Sequence, residues 1–173
     1  MTERVPLHDW EATLRVDHDG FLDDAYRLLT IFLASPAIAS LDSSSPQRHP
    51  NRQINEWALL GIQREVPNLL LRLAATIRAK DDDGSWLPRM NSNVGELIED
   101  VEGNAPAVSL TIREACNKIL HNDRTHFDLE IHEKTGAEYA KPTVYLYGQR
   151  RDKKWRATLD VVAFCCEAQN VIY

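Results

Sequence analysis

The apolar positions of this chain change period along its length, and the changes mark out elements. Between Gly20 and Pro36, the residues Phe21, Leu22, Ala25, Leu28, Leu29 and Phe32 recur at intervals of three and four. That is the spacing of one helix face. Pro36 ends this helix or lies just past its end. Residues 40–51, SLDSSSPQRHPN, hold three consecutive serines and two prolines and predict a loop. From Asn51 to about Lys80 a longer stripe runs through Ile54, Trp57, Ala58, Ile62, Val66, Leu69, Leu70, Leu73, Ala74 and Ile77. Pro67 stands inside it and either kinks one long helix or begins a second. DDDGSW (81–86) predicts a turn. Asn93 is placed to cap a short helix, VGELIEDVE, with Glu96 at the capping-box position and Gly103 closing it. Ser109 is placed to cap a further helix, 110–121, with Glu114 early in it.

After His121 the period falls to two. HFDLEIHE (126–133) alternates strictly, and TVYLYGQ (143–149) and WRATLD (155–160) are strand-like in the same way. TGAEYAKP predicts the loop between the first two, and RRDKK the turn before the third. VVAFCCEAQNVIY reads as a closing helix. The pattern therefore predicts a mainly α fold: an up-and-down helical bundle (20–122), a three-stranded antiparallel β-meander (125–160) and a C-terminal helix (161–173), in one domain. Residues 1–19 are polar and irregular, with Trp10 and Leu14 as anchors.

Composition narrows the function classes. The chain has 173 residues, 43% of them hydrophobic, which suffices for one domain with a true core. A net charge of −6 argues against a uniformly basic nucleic-acid coat protein. It leaves room for a local basic cleft, because affinity depends on the few cations that touch phosphates. Cys116, Cys165 and Cys166 form no CxxC pair, and their odd number suggests reduced, buried thiols in a cytoplasm. The first twenty residues lack an apolar core, and no run approaches 18 apolar residues, so neither a signal peptide nor a membrane span is expected.

The candidate chemistry centres on REACNKILHNDR (113–124). With Ile112 at angle zero and about 100° per residue, Ala115, Cys116 and Ile119 cluster around it. Arg113, Asn117 and His121 lie roughly 100–180° away and share a separate face. Histidine can exchange a proton near neutrality, arginine can hold a phosphate by paired hydrogen bonds, and an amide can orient either. Together they are what metal-free RNA cleavage needs: the 2′-hydroxyl attacks its own phosphate, histidine moves a proton, and arginine neutralises the developing charge.

This layout resembles the HEPN superfamily, small helical bundles whose late helix carries an R-x(4–6)-H motif, often with Asn after the Arg. Asn117 and His121 match the Asn-x3-His half. The family's arginine position is Cys116 here, and Arg113 stands one turn earlier on the same face. The resemblance implies a four- or five-helix fold and a homodimer. It also implies RNA as the target, with a metal-independent endoribonuclease site in the dimer cleft of active members, which occur in toxin–antitoxin and phage-defence systems. On that reading His121 is the acid/base, Arg113 the phosphate clamp and Asn117 the orienting group. Lys118 and Arg124 supply accessory cations, and no metal or cofactor is implied.

GQRRDKKWR (148–156) is the strongest basic cluster. Its Arg150, Arg151, Lys153, Lys154 and Arg156 could grip a phosphate backbone while Trp155 stacks a base; the plainer reading is a solvated turn with Trp155 packed inward. His126, Asp128, Glu130 and His132 share a strand face, but ligands six residues apart are about 20 Å apart and do not meet one ion. His8–Asp9 and His18–Asp19 spell the HD pair of metal phosphohydrolases, without the further ligands such sites use. Cys116 falls on the apolar side and reads as core. The alternative to RNA chemistry is a non-catalytic interaction protein that binds a protein partner. A weaker third is a small-ligand sensor with a pocket between helices.

Overall fold

The computed structural model describes residues 18–41, 50–82 and 91–172. The element order is α1 (His18–Ser40), α2 (Pro50–Asp82), β1 (Asn93–Ile98), β2 (Val108–Thr111), α3 (Ile112–Leu120), β3 (Arg124–Ile131), β4 (Glu138–Arg150), β5 (Lys153–Asp160) and α4 (Val161–Ile172). The strands form one five-stranded sheet in the order β2-β1-β5-β4-β3, and every neighbouring pair is antiparallel. This corrects the expected mainly α bundle with a three-stranded meander. The fold is α+β, and the sheet is its organising layer.

The error has a physical source in β1. Val94 and Leu97 are both buried and three residues apart, which imitates a helix face. In the sheet, a register irregularity between Asn93 and Glu96 inserts an extra residue. The bulge breaks the period of two, so both side chains reach the same core. Gly95 sits there with φ +152°, and a Cβ on it would lie 2.0 Å from the Thr158 carbonyl oxygen of β5. Asn93 does not cap a helix; its Oδ1 accepts from the Gly95 amide at 3.2 Å. The strand β2 takes up Ser109, and Thr111 caps α3 instead, its Oγ1 accepting from the Glu114 amide at 3.3 Å.

Both long helices pass through their prolines. Pro36 is interior to α1 and Pro67 to α2, each of which continues as one helix. Pro142 lies inside β4, where three residues (141–143) face the single Asp128 of β3 and β5 has already ended at Asp160. A missing N–H does no harm at such a bulge.

The four helices cover one face of the sheet. Phe32 of α1, Leu69 and Leu73 of α2, Ile112 of α3 and Phe164 of α4 join Val144, Leu146, Ala157 and Leu159 in one buried core. Every sheet residue in that core comes from the helix-facing rows. On the opposite face no residue is buried: Tyr145, Tyr147, Arg156 and Thr158 are half-buried and Glu96, Ser109, Arg124 and His126 are exposed. Among the described residues this is a two-layer arrangement with one sheet face open. No helix of the described residues is long and apolar enough to cross a membrane. Residues 1–17, the serines of 42–49 and most of the 81–86 turn lie outside the described residues. So do the His8–Asp9 pair and the His18 side chain.

Candidate functional site

Helix α3 carries its polar residues as the angular reading expects, but each is engaged differently. Arg113 Nε lies 3.2 Å from Asp81 Oδ2, at the end of α2. The same oxygen receives Arg78 Nη1 at 2.5 Å. Asp81 is fully buried, and Arg113 thus points back along the helix, as long helical side chains do. Asn117 Nδ2 donates to Glu114 Oε2 at 3.3 Å. Lys118 Nζ lies 3.1 Å from Glu114 Oε1 on the next turn. His121 ends the helix, its amide donating to the Asn117 carbonyl at 3.1 Å, and its ring is exposed. Arg113 and His121 are eight residues apart, roughly 12 Å along an ideal helix. The stripe does not converge: Arg113 belongs to a junction between α2 and α3, and His121 to the other end.

The convergence lies elsewhere. The β4–β5 hairpin folds its tip over the C-terminal half of α3 and closes a pocket of about 230 Å³. Lys118, Arg150, Arg151 and Lys153 line it, with Trp155 as its apolar wall and Glu99 and Asp152 as its acids. The tip is a two-residue turn with Arg151 at φ +58°, and Gln149 Nε2 fastens it by donating to the Arg151 carbonyl at 2.6 Å. Trp155 is only 4% exposed. It packs inward against Gly148, where a Cβ would come within 2.3 Å of the indole. A base cannot stack on it, in line with the plainer of the two readings of this segment. Its ring face is covered instead by Lys118, whose Nζ stands 4.5 Å from the ring centroid. That is a cation–π contact.

The electrostatics follow from this geometry. Burial alone raises the Glu114 carboxyl, but hydrogen bonds from Lys118 and Asn117 and the charges of Lys118 and Arg150 outweigh it, so it sits below its ordinary value of 4.5. Glu114 stays ionised and pairs with Lys118, which is 8% exposed, beside the pocket. Arg150 is near enough to act on Glu114. The pocket therefore brings one α3 residue, Lys118, to the basic hairpin.

Not all the expected cations are there. Arg124 begins β3 on the open face, opposite Tyr147. Lys154 pairs with Glu102 at 2.7 Å, and Lys153, which lines the pocket, lies 3.5 Å from Asp100. The strand residues once considered for a metal are dispersed: Asp128 and Glu130 flank Lys141 at 3.5 and 3.8 Å. His126 meets the edge of the Tyr147 ring, and His132 Nδ1 bonds Thr135 Oγ1 at 3.0 Å. Among the described residues no three His, Cys, Asp or Glu side chains come together. A separate apolar groove of about 370 Å³ lies between α1 and α2, its charged rim residues Arg27 and Glu65 paired to each other at 2.8 Å.

Sequence reasoning missed Glu114 and Asp81. Glu114 had a signal, the four-residue spacing to Lys118. Asp81 had none, since only the fold brings it to Arg113. Comparison with protein-family models, curated proteins and solved structures finds no match.

The thiols are chemically quiet where they are buried. Burial pushes Cys116 and Cys165 up to about 12, and Cys166 alone is exposed. Near pH 8, only about one in ten thousand of the buried pair is thiolate. Iodoacetamide should label Cys166 in native protein and reach Cys116 and Cys165 only after denaturation. Equal labelling of all three, read by mass spectrometry, would contradict this packing.

Proposed function

We propose that this protein binds RNA, without cleaving it, through the pocket between α3 and the β4–β5 hairpin. The observation that carries the reading is the gathering of Lys118, Arg150, Arg151 and Lys153 around one small cavity in a chain whose net charge is −6. Clustered cations in an acidic protein create a local anion site, and phosphate contacts supply most of nucleic-acid affinity. The HEPN-like cleavage reading has less support. It requires Arg113 and His121 at one phosphate, whereas Arg113 is held by Asp81. A cytoplasmic setting and a homodimer go with the proposal as further expectations.

The test is anisotropy with a labelled RNA at roughly 50 mM salt and above. Arg150→Glu with Arg151→Glu should weaken binding about 100-fold. It should also flatten the salt slope by roughly 1.4, twice the single-strand contribution of about 0.7 per contact. Unchanged affinity in the double variant, or no binding by the native protein, overturns the proposal. So does cleavage in EDTA that His121→Ala abolishes, since that would make the protein a nuclease. Light scattering of the same samples reads the oligomeric state.

A further inference from the structure

The open face of the sheet has a composition that a merely solvated face does not need. Cross-strand registers place its residues in two adjacent rows. One row runs Ser109, Glu96, Thr158, Tyr145, His126. The next runs Ile98, Arg156, Tyr147, Arg124. Tyr145 and Tyr147 thus stand side by side along β4, roughly 7 Å apart. Tyr147 has an arginine on each flank. His126 meets it edge-on, ring centroids 5.4 Å apart at 68°. Glu96 is the one acid in the two rows. Arg156 is half-buried in the second row.

We infer that this face is a stacking platform for single-stranded RNA, with bases on Tyr145 and Tyr147 and phosphates or base carbonyls on Arg124 and Arg156. The inference rests on the proposed RNA binding at the hairpin and names its substrate class. Two aromatic rings one strand-repeat apart suit successive nucleotides of an extended strand, and aromatic stacking tolerates every base. A duplex hides its base faces and has nothing to offer these rings. Two arginines against one glutamate in these rows match a polyanion in charge. Tyr147 is three residues, about 10 Å along β4, from Arg150, whose pocket lies on the helix-facing side of the sheet, so a strand that reaches both passes around the hairpin tip.

The experiment compares a fluorescein-labelled 12-nucleotide single-stranded RNA, the same sequence as a duplex, and inorganic polyphosphate, which has charge but no bases. The native protein should prefer the single strand over the duplex at least about 10-fold. Tyr145→Leu with Tyr147→Leu should bind the single strand about 30-fold more weakly and polyphosphate unchanged. Tyr145→Phe with Tyr147→Phe keeps the rings and should retain RNA binding within about twofold. Equal affinity for strand and duplex overturns the platform, as does equal loss in the Leu and Phe pairs. If the Leu pair instead splits a dimer and leaves RNA affinity intact, the face holds a second copy and the inference fails. Failure of polyphosphate to bind, or its indifference to Arg150→Glu with Arg151→Glu, would instead remove the hairpin reading beneath it.

Discussion

Replacing Gly95 with alanine should lower the melting temperature by roughly 6–12 °C, the equivalent of about 3 kcal/mol in a chain of this size. Two costs add. The residue is held at φ +152°, where a side chain strains the backbone. The new Cβ would also stand 2.0 Å from the Thr158 carbonyl oxygen. That obstacle is backbone of β5, so no rotamer change relieves it. Relief requires moving β1 away from β5, at the pairing of Gly95 with Leu159. Buried Val94 and Leu97 would shift with it. Gly61 is the control, because a Cβ there meets nothing within 4 Å inside α2. Gly61→Ala should raise stability by about 0.5–1 kcal/mol, from helix propensity alone. Calorimetry of both variants separates close approach from general glycine effects. A shift of less than about 2 °C in Gly95→Ala would show that the bulge does not fix β1.

The same bulge explains what the sequence hid. Period-based reading succeeds where an element keeps its period. The stripe from Phe21 to Phe32 is buried apart from exposed Leu22 and partly buried Leu29, and the one from Ile54 to Ile77 is buried only from Ile62 on, with Ile54 and Trp57 exposed. WRATLD alternates in its burial, with Trp155, Ala157 and Leu159 inward. At β1 an inserted residue changes the spacing of its two anchors from two to three. A strand then looks helical, and with β1 and its neighbour β2 both missed a five-stranded sheet becomes a three-stranded appendage. The strand β2 is too short to carry any period. At the site, the basic hairpin and Lys118 were legible as residue types. Their meeting was not, because it depends on α3 lying beneath the β4–β5 tip. The pair Tyr145 and Tyr147 was visible in TVYLYGQ as alternation, yet nothing in the chain says which face of a sheet stays uncovered.

The largest effect expected near α3 falls on Asp81, and it decides what Arg113 is for. The carboxylate is fully buried at the C-terminal end of α2, where the helix dipole disfavours a negative charge. It is tolerated because Arg78 and Arg113 share its Oδ2. Asp81→Ala would leave two guanidiniums facing one another without their anion. Both are partly exposed and can regain water, so the loss should be about 2–3 kcal/mol rather than the full cost of a broken buried pair. Arg113→Ala should cost only about 1 kcal/mol, since Arg78 still neutralises the carboxylate. Binding gives the sharper contrast. If Arg113 is a clamp between α2 and α3, both variants bind single-stranded RNA within about twofold of the native protein. If Arg113 is a phosphate ligand, Arg113→Ala loses at least about tenfold, and Asp81→Ala, by freeing the guanidinium, gains affinity. The structural reading requires a fall in stability with flat binding. The ligand reading requires binding changes of opposite sign in the two variants. Thermal melts and anisotropy on the same two proteins therefore assign the arginine, and with it decide whether the polar stripe of α3 belongs to the fold or to the RNA.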